Sequence, residues 1–281
     1  MPFSAKRLFF TFILGLTGLT NAYAGDRILA TGGVTQIEGS AGGGLVPWGV
    51  LHGTTSDNGL GITAAASRAG IDDYTLDVKG VALNLYNRLE ISFARQHLAL
   101  DTLGGKLEQD IIGAKARLFG DVLYHPWGQW SLGVQHKRLD DFSLPRAVGA
   151  RDDSGTDIYL AGSKLFFDAV AGRNLLLNTT LRSTQANQGG LLGFGGDLND
   201  SRELVVEGSL GIFVTPRWLA GFEYRQKPDQ LSFAEEEEWK DVFVAFVPNK
   251  HLSLTAAWID LGSIAGLDDQ QGGYLSLQVA Y

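Results

Sequence analysis

The sequence contains no cysteine, which excludes a disulfide scaffold, a zinc–thiolate site, an iron–sulfur cluster and a cysteine nucleophile. Charge is also scarce, since Asp, Glu, Lys and Arg make up 19% of the 281 residues and the formal net charge is −8. The basic residues form no block, whereas phosphate contacts need clustered Lys and Arg. The composition therefore argues against a nucleic acid as partner.

Long apolar runs are missing beyond the N-terminus, so no transmembrane helix is predicted there. The longest uncharged window, residues 39–56, contains six glycines and Pro47, a composition that breaks helices. If the protein crosses a membrane, it must therefore do so with strands.

The N-terminus has the three parts of a secretory signal peptide. Lys6 and Arg7 are followed by an uncharged, mostly apolar stretch over residues 8–19, which is too short to span a bilayer. Ala22 and Ala24 then supply small residues at a cleavage site before Gly25. We expect residues 1–24 to be a cleaved signal peptide and residues 25–281 to be a single domain.

The remaining chain alternates between apolar and polar residues with a period of two, which is typical of strands. In residues 202–214, Leu204, Val206 and Leu210 share one face, whereas Glu203 and Glu207 share the other. Residues 129–137, 174–184, 218–227 and 273–281 alternate in the same way. Short turns, as at residues 215–217, are interleaved with longer polar segments, as at residues 187–200. This spacing predicts an up-and-down antiparallel meander.

Such a meander can close as a soluble barrel with apolar residues inside or as an outer-membrane barrel with apolar residues outside. Predicted strands of about 9–13 residues and aromatic residues at strand ends favour the membrane form. The last strand ends on Tyr281, in phase with Leu275, Leu277 and Val279, as in strands that the barrel-assembly machinery recognises. We therefore predict an all-β transmembrane barrel in contact with the lipid of a Gram-negative outer membrane.

The number of strands depends on how the N-terminal stretch is interpreted. Thirteen segments begin near Leu45, Leu60, Tyr74, Leu89, Asp110, Gln129, Thr156, Asn174, Arg202, Arg217, Trp239, His251 and Gly273. Because single-chain bacterial barrels normally have an even number of strands, Thr31–Ser40 becomes the fourteenth. If the stretch up to about residue 54 is irregular or lies in the lumen, the barrel closes at twelve. Fourteen strands is the preferred prediction.

Several long motifs resemble those of an uncharacterised bacterial family of exported proteins. They are GGVTQIEGSAGGGLVPW at residues 32–48, VGARDDSGTDIYL at 148–160, GLLGFGGD at 190–197, EYRQKPD at 223–229 and DVFVAFVPNKHLSLTAAWIDLG at 241–262. The family is known as a domain of unknown function, and the resemblance covers nearly all of residues 28–281. It implies an exported outer-membrane β-barrel, but it implies no activity and no catalytic residue.

Charged residues on the predicted inner face are the main candidates for function. By strand phase they are Asp77, Lys79, Glu90, Lys115, Arg117, Lys137, Arg182, Glu203, Glu207, Glu223, Arg225 and Lys227. In an open pore they would create a transverse field that orients polar solutes. Alternatively, they pair with one another and fill a narrow barrel.

Metal and catalytic sites have little support. Asp152, Asp153 and Asp157 could supply oxygens to Ca²⁺, but the segment lacks the EF-hand pattern and suits a solvated turn better. His251 and Ser253 have the His-x-Ser spacing of outer-membrane phospholipases, but no orienting Asp or Asn is identifiable. We expect neither an enzyme nor a cofactor.

The sequence therefore predicts a pore or channel for small polar solutes. The alternative is a structural or adhesive barrel with a filled lumen and extracellular loops that bind a partner.

Overall fold

The computed structural model describes residues 29–55, 57, 59–233 and 235–281. The predicted signal peptide and its cleavage site before Gly25 lie outside these residues. Within the described ranges, no helix is long and apolar enough to cross a membrane.

Twelve antiparallel strands form a closed barrel in which each strand pairs with its neighbours in sequence, and the last strand closes on the first. Their bounds are β3 Leu60–Ile71, β4 Tyr74–Leu85, β5 Leu89–Leu100, β6 Lys106–Gly120, β7 Gln129–Leu139, β8 Ser154–Val170, β9 Arg173–Thr184, β10 Glu203–Thr215, β11 Trp218–Arg225, β12 Trp239–Asn249, β13 Leu252–Asp260 and β14 Gln271–Ala280. Two shorter strands, β1 Val34–Thr35 and β2 Ala41–Gly42, precede them and pair only with each other.

The preferred prediction of fourteen wall strands is therefore wrong, and the alternative of twelve is correct. Residues 31–40 and the segment near Leu45 do not join the wall, because they lie inside the barrel. Val46 and Val50 are fully buried there, together with Leu51. Glycines and Pro47 interrupt this stretch, so it cannot sustain a regular ladder of hydrogen bonds.

The connections give the barrel two different ends. We call one the turn end, because it carries the shorter connections at residues 86–88, 121–128, 171–172, 216–217 and 250–251. The other, the loop end, carries a two-residue turn at 72–73 and the connections at 101–105, 140–153, 185–202, 226–238 and 261–270. The loops include a short helix, α1 Ser143–Ala147, and a 3₁₀ turn, Asn187–Gly190.

The two faces of the wall have opposite character, as the alternation predicts. In β10, Val206 and Leu210 are exposed on the outside, whereas Glu207 and Ser209 are buried inside. Trp218 and Phe246 stack on each other on the outer surface near the turn end. An apolar exterior with aromatic residues near the strand ends is the arrangement of a barrel that contacts lipid.

The interior has two sides. On β7–β11, which we call the charged side, Lys137, Arg182 and Arg225 are buried. On β12–β14 and β3–β5, which we call the apolar side, the buried residues near the loop end include Trp239 and Ile259. The N-terminal segment lies between these two sides.

Candidate functional site: the filled lumen

The central feature of the lumen is its occupant, residues 29–55, which we call the plug. It begins near the turn end, where Ala30 lies with Leu219 and Val247 around a small cavity. At its far point, Glu38 approaches Gly189 in the loop between β9 and β10. It then returns to the turn end, where Gly53 lies beside Thr63 and Ala280. The plug is therefore a hairpin-like excursion with both ends at the same end of the barrel.

Glycine allows the plug backbone to approach the wall. A Cβ atom on Gly43 would lie 2.0 Å from Oε1 of Glu223, and one on Gly49 would lie 2.6 Å from the carbonyl oxygen of Gln129. Both distances are too short for any side chain without movement of the wall. The glycine-rich composition of this stretch thus reflects close packing against the strands.

Glu38 is the one carboxylate of the plug, and it contacts three cations of the wall. Its Oε1 lies 2.6 Å from Nζ of Lys137 and 2.6 Å from Nη2 of Arg225, and its Oε2 lies 3.0 Å from Nη1 of Arg182. These cations come from β7, β11 and β9, so one side chain of the plug joins three strands. Such charge-assisted contacts compensate for removing the charges from water.

Two wall carboxylates complete this cluster. Asp157 lies 2.7 Å from Lys137 and 3.2 Å from Arg182, and Glu207 receives a hydrogen bond from Nε of Arg182. With Glu38, three carboxylates therefore balance three cations, and all six side chains are buried. Without the plug, the wall would carry one uncompensated positive charge at this position.

A second ionic contact holds the plug near the turn end. Glu90 accepts hydrogen bonds from the backbone N–H groups of Ala41 at 3.1 Å and His52 at 2.8 Å. Its Oε2 also lies 3.1 Å from Nδ1 of His52. Lys115 donates to the carbonyl oxygen of Ala41 at 2.8 Å and lies 3.5 Å from Glu90. Two wall charges thus bind the plug backbone at two positions, Ala41 and His52, on the part of the plug that returns from Glu38.

Other wall groups bind the plug through neutral partners. Glu223 accepts from the backbone N–H of Leu45 at 2.7 Å and from Nε1 of Trp48 at 3.3 Å. The side chains of Gln129 and Ser131 both donate to the carbonyl oxygen of Gly49, at 2.8 and 2.7 Å. Most of these contacts use the plug backbone, which the glycines leave accessible.

The loops close the barrel above the plug. Lys227 and Glu236 form a buried ion pair of 2.8 Å, and Gln188 also donates to Glu236. Burial lowers the pKa of Lys227 and raises the pKa of Glu236, because each charged form loses water that its partner replaces only in part. Both residues of the pair lie in the loop between β11 and β12, and the hydrogen bond from Gln188 links this loop to the loop between β9 and β10.

Ten of the twelve charges predicted for the lumen lie on the inner side of the barrel. Glu90, Lys115, Lys137, Arg182, Glu207, Glu223 and Arg225 are buried in it, and the side chain of Lys227 is buried beneath the loops. Arg117 and Glu203 lie near the turn end and the loop end, where they are partly buried.

The prediction was wrong for Asp77 and Lys79, which point outward from β4. Asp77 forms a two-point ion pair with Arg68 on the outer surface, with distances of 2.6 and 2.7 Å. The inner face of β4 carries Tyr74 and Val78 instead. The assumption that charges face the lumen fails here because this part of the interior is apolar.

The three candidate calcium ligands do not form a site. Asp157 points into the barrel and pairs with Lys137 and Arg182, whereas Asp152 is exposed in the loop. Asp153 accepts a hydrogen bond from Ser154. Across the described residues, no group of three or more His, Asp or Glu side chains could hold a metal ion.

His251 and Ser253 are also separated. The ring of His251 is exposed and its Nδ1 lies 2.9 Å from the carbonyl oxygen of Ala280, whereas Ser253 is buried on the inner face. The residues of the predicted assembly signal, Leu275, Leu277, Val279 and Tyr281, form an outward-facing row on and after β14.

Sequence reasoning missed the residues of the plug itself, above all Glu38 and His52. A signal was present, because Glu38 is the only Asp, Glu, Lys or Arg between residues 28 and 56. A single carboxylate in a glycine-rich, apolar stretch is typical of a buried segment whose charge is paired with cations of the surrounding wall. It is less typical of a strand of the wall itself.

Comparison with known families gives one match. The family model described as "Protein of unknown function (DUF3034)" matches residues 31–278, a range that begins within the plug and ends within β14, the last wall strand. No curated protein matches the sequence.

Several solved structures align with this chain. The "KdgM porin" aligns with a TM-score of 0.52 and 9% identity, over 78% of this chain and 99% of that one. The outer membrane protein Omp33 of Acinetobacter baumannii aligns with a TM-score of 0.47 and 8% identity, over 78% and 97% of the two chains. The COG4313 outer membrane channel from Pseudomonas putida F1 gives 0.45 and 12%, over 84% and 96%. The alignment with the KdgM porin shows that this chain shares its barrel fold.

Proposed function

The chain belongs to the DUF3034 family, whose function is unknown, and we propose that it is an outer-membrane channel for small polar solutes that its own plug closes at rest. Displacement of residues 29–55 would open the lumen. The expected lipid-facing exterior and the signal peptide, cleaved before Gly25, support export of residues 25–281 to the outer membrane of a Gram-negative bacterium.

The observation that carries this proposal is the way in which the wall binds the plug. Wall cations and carboxylates such as Lys115, Glu90 and Arg225 contact the plug through its backbone or through Glu38. If the plug leaves, these groups line a passage that water can solvate, as in a polar porin lumen. A lining of apolar residues would instead collapse or remain dry.

The row of outward-facing side chains that ends at Tyr281 has a proposed role in assembly and not in conduction. We assign Leu275, Leu277, Val279 and Tyr281 to recognition by the barrel-assembly machinery, since the row is exposed and ends on an aromatic residue. Tyr281→Asp should then reduce the amount of folded barrel in the outer membrane without preventing export.

The alternative function is a structural barrel that never opens. The balance of three cations and three carboxylates in the Glu38 cluster supports it, because loss of Glu38 would leave a buried cation without a partner, which is costly. The two functions differ in whether the plug moves.

Conductance in planar lipid bilayers distinguishes them. We expect wild-type protein to be closed for most of the time with brief openings, and a variant lacking residues 30–55 to conduct steadily. A variant in which a disulfide fixes the plug to the wall is the third protein to be compared. The Cβ position of Gly80 lies 3.4 Å from Cγ2 of Thr35, so Thr35→Cys with Gly80→Cys places the two thiols within reach of each other.

The disulfide variant should lose the brief openings when oxidised and regain them when reduced. The natural chain has no cysteine, so no other disulfide can form within one chain. Steady conductance of the deletion variant, together with silence of wild-type protein and of the disulfide variant in both its oxidised and its reduced form, would support the structural barrel. Openings that persist in the oxidised variant would contradict the proposed gate.

A further inference from the structure

A groove of about 550 Å³, which we call the outer groove, crosses the outside of the barrel from β11 through β14 and β3 to β4. Trp218, Phe246, Leu254, Leu277 and Ala66 lie along it, each paired in register with the next. Neighbouring strands are about 4.8 Å apart, so the five steps from β11 to β4 give a path of about 24 Å. The outer groove is therefore elongated, and it lies in a surface that we expect to contact lipid.

Small residues form the floor of the outer groove. Ala66 of β3 and Ala256 of β13 are exposed on the outer face, where β10 carries large apolar side chains such as Leu210. The stacked rings of Trp218 and Phe246, with centroids 4.5 Å apart, mark the end of the groove near the turn end. This part of the groove offers an apolar surface without a polar partner for a ligand.

The opposite end of the outer groove is charged. Arg68 and Asp77 line it and form their two-point ion pair there, which uses Nε and Nη2 of Arg68. The side chain of Arg68 is 68% exposed, so its Nη1 is open to a ligand. Lys79 is exposed opposite Ala66 in register, and it pairs with no carboxylate of the described residues. Since the Arg68–Asp77 pair is neutral, Lys79 leaves one net positive charge at this end.

These two ends fit a lipid that has an acyl chain and an anionic phosphate. An acyl chain would supply the dispersion contacts that the small floor residues leave unfilled. One extended chain spans half of the hydrocarbon core, about 15 Å, and the outer groove is longer than that. A cation on a lipid-facing surface is costly, and a phosphate beside Lys79 would compensate for that cost through charge-assisted hydrogen bonds.

The direction of the outer groove selects the leaflet. Arg68 lies in the half of β3 that ends at Ile71, at the loop end of the barrel. The longer loops of outer-membrane barrels face the outside of the cell. The headgroup therefore belongs to the outer leaflet, whose main lipid in Gram-negative bacteria is lipopolysaccharide. Its lipid A part carries both phosphates and acyl chains.

We propose that the outer groove binds the lipid A part of one lipopolysaccharide molecule. An acyl chain lies over Ala66 and Ala256, and a phosphate lies beside Lys79 and Nη1 of Arg68. The inference rests on the proposed location in the outer membrane, but it requires neither conduction nor movement of the plug.

Native mass spectrometry of protein extracted from outer membranes in mild detergent identifies the occupant. The cells should make lipopolysaccharide shortened to lipid A and its inner sugars, so that a bound molecule has one defined mass. We expect one such molecule on each chain. A phospholipid in its place, or a lipid-free pair of chains, would overturn the proposal.

Titration of delipidated protein with lipid A tests the charged end. Binding should saturate at one molecule, and Lys79→Gln should weaken it about five-fold, as loss of one exposed ion pair implies. Arg138→Gln is the matched control, because Arg138 is an exposed cation on the outer face of β7, outside the groove. Lipid A without its phosphates should bind equally to wild type and Lys79→Gln.

The apolar part is tested by Ala66→Phe, which fills the floor and should weaken binding of lipid A, with or without phosphates, at least about ten-fold. Ala64→Phe is the matched control, because Ala64 lies on the same face of β3 outside the lining of the groove. Both positions are on the apolar exterior, so neither variant should prevent folding.

Any of three titration results would overturn the proposal: binding of lipid A that does not saturate, equal affinity of Lys79→Gln and Arg138→Gln, or equal affinity of Ala66→Phe and Ala64→Phe. The titration uses purified closed protein. A silent barrel in the conductance experiment would therefore leave this result unaffected.

Discussion

The two sides of the barrel interior hold the same plug by different forces. On the charged side, Glu38 meets Lys137, Arg182 and Arg225 at distances of 2.6–3.0 Å. On the apolar side, Ile37 faces a cavity whose wall includes Ile259. The charged contacts are directional and leave no room for substitution, whereas the apolar contacts tolerate a space of about 50 Å³.

In the proposed channel, this difference would allow the plug to be held firmly and still be released. Charged groups that lose the plug regain water, so the cost of separation is limited in an aqueous lumen. Apolar groups that lose the plug become exposed and favour its return. The charged side therefore determines where the plug binds, and the apolar side favours the closed state.

The largest effect should come from removing the charge at the centre of the charged side. Glu38→Leu leaves three buried cations with two carboxylates, and we expect it to lower the free energy of unfolding by about 3–5 kcal/mol. Urea unfolding in lipid vesicles would measure the loss. Glu203→Leu, at a partly buried position near the loop end, is the control and should change stability little.

On the apolar side, Ile259→Ala should cost about 3 kcal/mol, because it removes buried carbons and enlarges an existing cavity. The same unfolding experiment applies, with Ile62→Ala on the outer face as the control. High salt should leave this loss unchanged. A loss no larger than that of the control would mean that the apolar side contributes little to stability.

A smaller effect is expected for Tyr74→Phe, which removes only the hydrogen bond to Ile264. Loss of one such bond costs about 1 kcal/mol. The loop at residues 261–270 should then be cleaved faster by an added protease, by about five-fold, while the barrel strands remain resistant. An unchanged cleavage rate would show that the other loop contacts suffice.

The smallest effect concerns the ion pair between Lys227 and Glu236. Because the folded-state pKa of Glu236 is raised, the unfolded state loses its proton first as the pH rises, and stability falls through this acidic window. The lowered pKa of Lys227 has the opposite consequence in the alkaline window, where stability rises with pH. Protease protection of residues 226–238 should therefore be lowest between the two windows, and Glu236→Gln should abolish the acidic change.

Much of the wall was predictable from the sequence. The alternation of β10, for example, follows from Val206 and Leu210 against Glu207 and Ser209, and the structure confirms it. A strand that faces lipid on one side and a polar interior on the other has a strong period of two. Predicted starts at Leu60, Tyr74, Leu89, Gln129 and Trp239 coincide with observed strands.

The position of the plug inside the barrel and the inward face of β4 could not be predicted from the alternation of residues. Residues 31–40 contain short alternating runs that resemble a strand, and only the tertiary structure shows that they pack inside. In β4, Asp77 and Lys79 alternate with Val78 as they would in a lumen-facing row, but the interior beside them is apolar. Alternation divides the residues of a strand between two faces. It cannot identify the inner face where both faces carry polar as well as apolar residues.

The return of the plug to the turn end, at Gly53, makes the barrel and the plug a receptor and a tethered ligand. A few residues join the plug to β3, so its effective concentration at its own binding site is on the order of millimolar or higher. Each contact can then be weak while the site remains occupied. A free peptide with the sequence of residues 29–55 would have to match that concentration to compete, and it would bind best to a barrel from which the tethered copy had been deleted.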